Sequence, residues 1–107
     1  MDINICKDFS NTPGARYKSE GAFSGEEFRE KLLEPKFLMA RSKKEQLVIY
    51  LDGGYGYATS FLEEAFGGLS RKYGSEEILK IIVIISEDEP AIEEEIKSYI
   101  REAKKEG

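Results

Sequence analysis

The chain has no histidine and no tryptophan, a single cysteine and three prolines among 107 residues. Without histidine, the commonest general base and metal ligand is missing. The lone Cys6 excludes an internal disulfide and fits a reducing compartment, where it reads as a small half-buried filler. No apolar run approaches the roughly 20 residues that span a bilayer. The start, Met1–Asp2–Ile3–Asn4, has neither the basic region nor the apolar core of a secretory leader. A cytoplasmic protein without membrane contact is therefore expected. Positive charge is also short: 16 Lys and Arg face 21 Asp and Glu, a net charge of −5. Such a field repels nucleic acid. These absences together weigh against a self-sufficient enzyme.

What is present is a regular alternation of short apolar runs and amphipathic stretches. Ile3, Ile5 and Phe9 alternate with polar neighbours, the period of a strand with one buried face. Ser10–Asn11–Thr12–Pro13–Gly14 is a turn cluster, and residues 15–19 suit a short strand returning along the first. Ser24 and Glu27 have capping-box spacing, with Phe23 and Phe28 placed as a hydrophobic staple. Pro35, deep in the following helical pattern, is expected to kink or break it. The charged run Arg41–Glu45 reads as a solvated helix end.

Leu47–Leu51 and Ile81–Ile85 are five-residue apolar runs, too short for helices and suited to strands covered on both faces. Between them Phe61, Leu62, Ala65, Phe66, Leu69 and Tyr73 recur at helical spacing, closed by Gly74. Gly67–Gly68 inside that helix costs about 1 kcal/mol per residue against alanine, which predicts close approach of another backbone. Pro90 opens a last helix with Glu89 or Asp88 as cap, Ile92, Ile96, Tyr99, Ile100 and Ala103 as its buried stripe, and Lys104–Lys105 at its dipole-favoured end. Strands alternating with helices imply parallel pairing and right-handed crossovers. The expected fold is α/β: one domain over residues 1–107, a sandwich with a mostly parallel or mixed central sheet and helices packed on it.

The chemical focus is the stretch Asp52–Gly53–Gly54–Tyr55–Gly56–Tyr57–Ala58–Thr59–Ser60, between an apolar strand and an amphipathic helix. A helix start exposes unpaired N–H groups and partial positive charge, which favour anions. As a phosphate cradle the loop lacks the lysine and spacing of a P-loop, and Thr59 replaces the last small residue of a dinucleotide fingerprint. Ser60 and Glu63 stand in capping-box spacing, so Ser60 either only caps the helix or caps it and also takes part in regulated docking. A phosphoryl group on Ser60 or Thr59 would add about −1.5 to −2 charges at the helix start, opposed in part by Glu63 and Glu64. Tyr55 and Tyr57 suit contact with a partner or packing on the sheet edge. Arg16, in a turn ahead of a capped helix, suits an anionic group or an internal acid. Asp8, Asp52, Glu63 and Glu64 stand near the strand ends and the loop, but no nucleophile is paired with an evident base.

The Gly14-x-Arg16-Tyr17…Gly21-x-x-Ser24-Gly25-Glu26-x-Phe28-Arg29 stretch resembles a bacterial STAS-like domain family of unassigned function. So does the Tyr55-Gly56-x-x-x-Ser60-Phe61-Leu62-Glu63-Glu64-x-Phe66-Gly67-Gly68-Leu69 stretch, and the likeness covers nearly the whole length. A more distant likeness is to STAS domains of anti-sigma factor antagonists, whose regulatory serine follows an apolar strand and a glycine-containing turn. The resemblance implies a regulatory protein-interaction module with a STAS-like fold; no cofactor is expected. What the resemblance implies is docking of a protein, of which a histidine-kinase-like ATPase that phosphorylates a serine is the class it suggests, through the 53–60 loop and the following helix. Thr59 and Ser60 fall on the two hydroxyls of the antagonists' pattern, while Ala58 stands where they have aspartate and Phe61 where they have glycine. Arg16, Asp52, Gly54, Tyr55, Gly56 and Tyr57 are the binding candidates. The alternative is a small-molecule or nucleotide binder using the same helix N-terminus and Arg16. No nucleic acid or membrane partner is expected, and the oligomeric state is left open.

Overall fold

In a computed structural model, which describes residues 1–104, three strands form one parallel sheet in the order β1 (Asp2–Asn4), β2 (Leu47–Tyr50), β3 (Ile82–Ile85). The register sets Asp2, Val48 and Val83 side by side, then Ile3, Ile49 and Ile84, then Asn4, Tyr50 and Ile85. Helix α1 (Ile5–Asp8) follows β1 directly. Helix α2 runs unbroken through Gly25–Phe28, Arg29–Leu33 and Glu34–Lys43; α3 runs through Thr59–Leu62, Glu63–Gly67 and Gly68–Tyr73. Helix α4 (Ser75–Ile81) leads into β3, and α5 (Ala91–Glu102) follows it. The fold is α/β, as expected; helices α1 and α4 are not among the expected elements, and Ile81, expected to begin the last strand, ends α4 instead.

Among the described residues, the sheet is covered on one side only. Both crossovers step the same way along the order β1-β2-β3, so right-handed connections put α2 and α3 on the same face. Ile3, Leu47, Ile49, Ile82 and Ile84 point to that face and are buried among Phe28, Phe37, Phe61, Phe66 and Leu69. Helix α5 packs on α3 rather than on the other face, with Ser70 donating to the carbonyl of Ile100 at 2.8 Å. The opposite face carries Val48, Val83 and Ile85, all half-buried, and exposed Tyr50. The expectation of strands covered on both faces is thus corrected: an uninterrupted apolar run records sheet residues, not the number of layers.

Local hydrogen bonding overrides several patterns of the sequence. The strand expected to reach Phe9 stops at Asn4, because Asn4 caps α1: its side chain accepts from Lys7 N at 3.1 Å, and its own N–H donates to Asp8 at 2.8 Å. Residues 15–19 make no strand. The carbonyls of Ala15 and Arg16 accept instead from the first amides of α2, Gly25 and Glu26, at 2.9 and 3.0 Å, and Lys18–Glu20 forms a 3₁₀ turn. Ser24 caps α2 through Glu27 N as expected, but Glu27 reaches Phe23 N rather than Ser24 N. The staple runs through a third ring, Phe9, which packs on both Phe23 and Phe28.

Pro35 does not break its helix. The turns just before it, Arg29–Leu33, widen to π-helical pairing, with Glu34 N bonded to Arg29 O, so the ring is accommodated in a continuous α2. The exposed end of α2 at Arg41–Lys44 is as expected, and Arg41 also stacks over the rings of Phe37 and Tyr73. At the chain end, Lys104 lies beyond the last turn of α5, and Lys105 lies outside the described residues.

Candidate functional site

The C-terminal ends of three parallel strands converge on the loop after β2, where α/β sheets place ligand sites. Four tethers fix this loop. Both carboxylate oxygens of Asp52 accept backbone amides, from Glu87 at 2.9 Å and Asp88 at 2.8 Å, joining the loop after β2 to the loop after β3. These two bonds, from Asp88 and then Glu87, hold the Asp52 carboxyl below the usual aspartate value of 3.8. Cys6 donates its thiol to Gly53 O at 3.3 Å, and Tyr55 N donates to Asn11 O at 3.1 Å. Tyr57 donates its hydroxyl to Leu51 O at 2.8 Å. Burial pushes the Tyr57 phenol far above its ordinary range, with the nearby Cys6 and Asp52 acting in the same direction.

The result separates the two tyrosines. Tyr57 packs inward against Phe61, whereas Tyr55 is 85% exposed at the tip. Gly53 and Gly56 sit at φ of 95° and 117°, where a side chain would strain the backbone. Gly54 faces the Asn11 carbonyl closely enough that a Cβ would stand 3.3 Å from it. Between this loop and residues 86–92 lies an open pocket of about 130 Å³, edged by Tyr55, Ser86, Asp88 and Glu89. It is well below the roughly 300–1,000 Å³ of ligand-sized clefts. Arg16 is not among its lining residues.

The helix that the loop opens starts differently from the expectation. Ala58, not Ser60, is the cap residue, and its carbonyl accepts from Phe61 N and Leu62 N at 3.1 and 3.2 Å. The Ser60–Glu63 capping box therefore does not form, because the helix begins two residues earlier than a Ser60 cap would place it, at Thr59. Thr59 is exposed and Ser60 half-buried. Tyr99 of α5 lies alongside: its hydroxyl donates to Glu95 at 2.6 Å, burial and that bond raise its pKa to about 12, and a bond from Thr59 pulls the other way.

Arg16 and Glu63 belong to a second cluster, one turn further along α3. Glu63 bridges Arg16 and Arg71, the latter at 2.7 Å. Glu64, buried, takes Arg29 at 2.5 Å and has Arg16 and Arg71 at 3.7 Å. Burial pushes the Glu63 carboxyl up, but its bonds with Arg71 and Arg16 outweigh that and leave it below the ordinary glutamate range. Arg29 also donates to the backbone oxygen of Glu64 at 2.6 Å, within the π-helical turns Glu63–Gly67. Gly67 and Gly68 make room for these side chains: a Cβ on Gly68 would overlap the Arg29 guanidinium, and one on Gly67 would stand 2.5 Å from Glu63 Oε2. The close approach expected at this pair comes from side chains, not from another backbone. The backbone contact lies at Gly25, where a Cβ would stand 2.5 Å from Phe61 O.

Of the candidate residues, Asp52, Gly54, Tyr55, Gly56 and Tyr57 thus share one loop, Thr59 and Ser60 start the adjoining helix, and Arg16 joins the glutamate cluster. Sequence reasoning did not assign Arg29, Arg71 or Tyr99 to a site. The Glu64 partner of Arg29 lies 35 residues away, and the Glu63 and Glu95 partners of Arg71 and Tyr99 lie eight and four residues away on helices where many charged pairs were equally possible; only the glycine pair at 67–68 signalled that something fills that site. Among the described residues no group of histidine, cysteine and acid side chains is arranged to hold a metal ion, and no helix is long and apolar enough to cross a membrane. No curated protein and no solved structure gives a significant match to the chain. A family model does match, over residues 24–91, from the cap of α2 to the first residue of α5. That span holds two strands, the tethered loop and the Arg29–Glu64 contact, well over half of the chain, and the protein belongs to the family described as a STAS-like domain of unknown function.

Proposed function

We propose that the protein is a regulatory interaction module that docks a partner protein through the 53–60 loop and the start of α3. The observation that carries this reading is Tyr55, 85% exposed on a loop held by hydrogen bonds at Asp52, Gly53, Tyr55 N and Tyr57. A rigid, exposed tyrosine offers a large contact area at little entropic cost, the property of binding hot spots. Binding is favoured over catalysis because the nearby carboxylates already have partners: Asp52 holds two amides, and Glu63 and Glu64 hold arginines.

Modification at the helix start would switch this surface, with Thr59 the more accessible hydroxyl and Ser60 the second. A kinase of the histidine-kinase-like ATPase class is the partner that the family likeness suggests. Pull-down from cell extract with the wild-type chain and with Tyr55→Ala tests the docking surface. Capture of a partner by the wild type and at least tenfold weaker capture by the variant is the expected result; equal capture would overturn the reading. Mass spectrometry after incubation with the captured kinase and ATP tests modification, which should appear on Thr59 or Ser60.

A further inference from the structure

The pocket between the tethered loop and the start of α5 has an apolar floor, Leu51 and Ile92, both buried. Tyr55 and Tyr57 line it, and so do the carboxylates of Asp52, Asp88 and Glu89. Among the described residues none of these three acids enters an ion pair. The start of α5 sets only about half a positive charge against them. The nearby donors are also taken. The amides of Glu87 and Asp88 go to Asp52, the Ser86 hydroxyl to Glu89 O at 2.7 Å, and the Tyr57 hydroxyl to Leu51 O. What remains open is an acceptor-rich, negatively charged mouth above an apolar floor.

We propose that this pocket seats an arginine side chain of the docked partner, which presents a basic segment to the 53–60 loop. The proposal rests on the docking reading and names the partner's chemistry. An arginine buries its apolar stem while its charged head stays at a polar rim, which matches this floor and this mouth. Its planar guanidinium stacks on tyrosine rings and forks onto carboxylates. Size agrees as well. A cavity of about 150 Å³ holds one benzene-sized group, so about 130 Å³ admits one side chain and not a nucleotide. An anionic group would instead meet three carboxylates, with the amides of Glu87 and Asp88 already occupied. The net charge of −5 favours the same partner at longer range, because it steers a basic surface toward the chain.

Two probes test the seat by NMR titration of the isotope-labelled full chain: N-acetyl-arginine amide and its citrulline analogue, which keeps the shape and loses the charge. The arginine probe should bind in the millimolar range, shift the amides of residues 53–57 and 86–89, and weaken as salt is added. The citrulline probe should bind at least about fivefold more weakly. A double variant, Asp88→Asn with Glu89→Gln, checked for native circular dichroism, should lose affinity for the arginine probe by at least about the same factor. No saturable shift at this site, equal binding of the two probes, or undiminished binding by the double variant overturns the proposal.

Capture from cell extract separates this proposal from the docking reading. The expected pattern is weaker capture by both Tyr55→Ala and the double variant. Weak capture by Tyr55→Ala with undiminished capture by the double variant leaves docking in place and overturns the arginine seat. Equal capture by Tyr55→Ala overturns docking itself, and the probe titration then decides alone whether the pocket takes a cationic side chain.

Discussion

Arg29 shows how one residue holds two sequence motifs together. Its guanidinium crosses from α2 to α3, pairs with buried Glu64 and lies over Gly68. Removing one member of a buried pair leaves the other charge with a reduced set of partners. Arg29→Ala should lower stability by about 3 kcal/mol, the low end of the range for such unpairing because Arg16 and Arg71 remain 3.7 Å from Glu64. Urea denaturation followed by circular dichroism measures it. Asp52 acts on the loop in a different way, and its pKa gives the sign. A folded-state pKa held below the ordinary 3.8 means the tether is fully present above that pH and is lost as pH falls through the lower folded value. Amide resonances of Glu87 and Asp88 should therefore keep their bonded shifts at pH 5 and lose them in the acid range below the ordinary aspartate value, while Asp52→Ala removes them at every pH.

At the level of elements, the helix pair α2–α3 depends on small residues where the two backbones meet. Gly25 lies on the first turn of α3, with no space for a methyl group between it and Phe61 O. Gly25→Ala gains up to about 1 kcal/mol of helix propensity but forces backbone apart from backbone, which typically costs about 1–3 kcal/mol. Net destabilisation with a lower Tm is the expected outcome. The two π-helical segments, Arg29–Leu33 and Glu63–Gly67, belong to the same contact: each widened turn meets the other helix through the Arg29–Glu64 pair. None of this was legible from periodicity, because the apolar spacing of Phe61, Leu62, Phe66 and Leu69 suits an α-helix with or without one wide turn. The capping pattern at Ser60 misled for a similar reason. Two cap residues compete within a few positions, and the hydrogen bonds of Ala58 O select the earlier start.

For the whole molecule, the decisive feature is that, among the described residues, the helices flanking the sheet lie on one side. A one-sided sheet predicts a sharp difference between neighbouring residues of the same strand. Ile84→Ala, at 4% exposure on the helix side, should cost about 2–5 kcal/mol, the range for large-to-small changes in a core. Ile85→Ala, on the bare face, should cost about 1 kcal/mol or less. Paired denaturation curves at low protein concentration measure the difference. Equal losses would mean that both faces are buried.

The amino-acid sequence by itself determined the α/β class, two of the three strands and the three long helices, but not α1, α4 or the end of β1. Apolar runs at Leu47–Leu51 and Ile81–Ile85, helical spacing between them and the turn glycines specify strands, helices and loops through local sterics and burial. It also marked the 52–60 loop, because glycines at positive φ and hydroxyls at a helix start are local signals. Only the tertiary structure decided which face of the sheet the helices cover, that Tyr55 points outward while Tyr57 is tied to Leu51 O, and that Arg16 goes to Glu63. Each of these depends on groups distant in the chain being brought within a few ångströms. Residue periodicity fixes which way a side chain points from its own element, but not what stands opposite it.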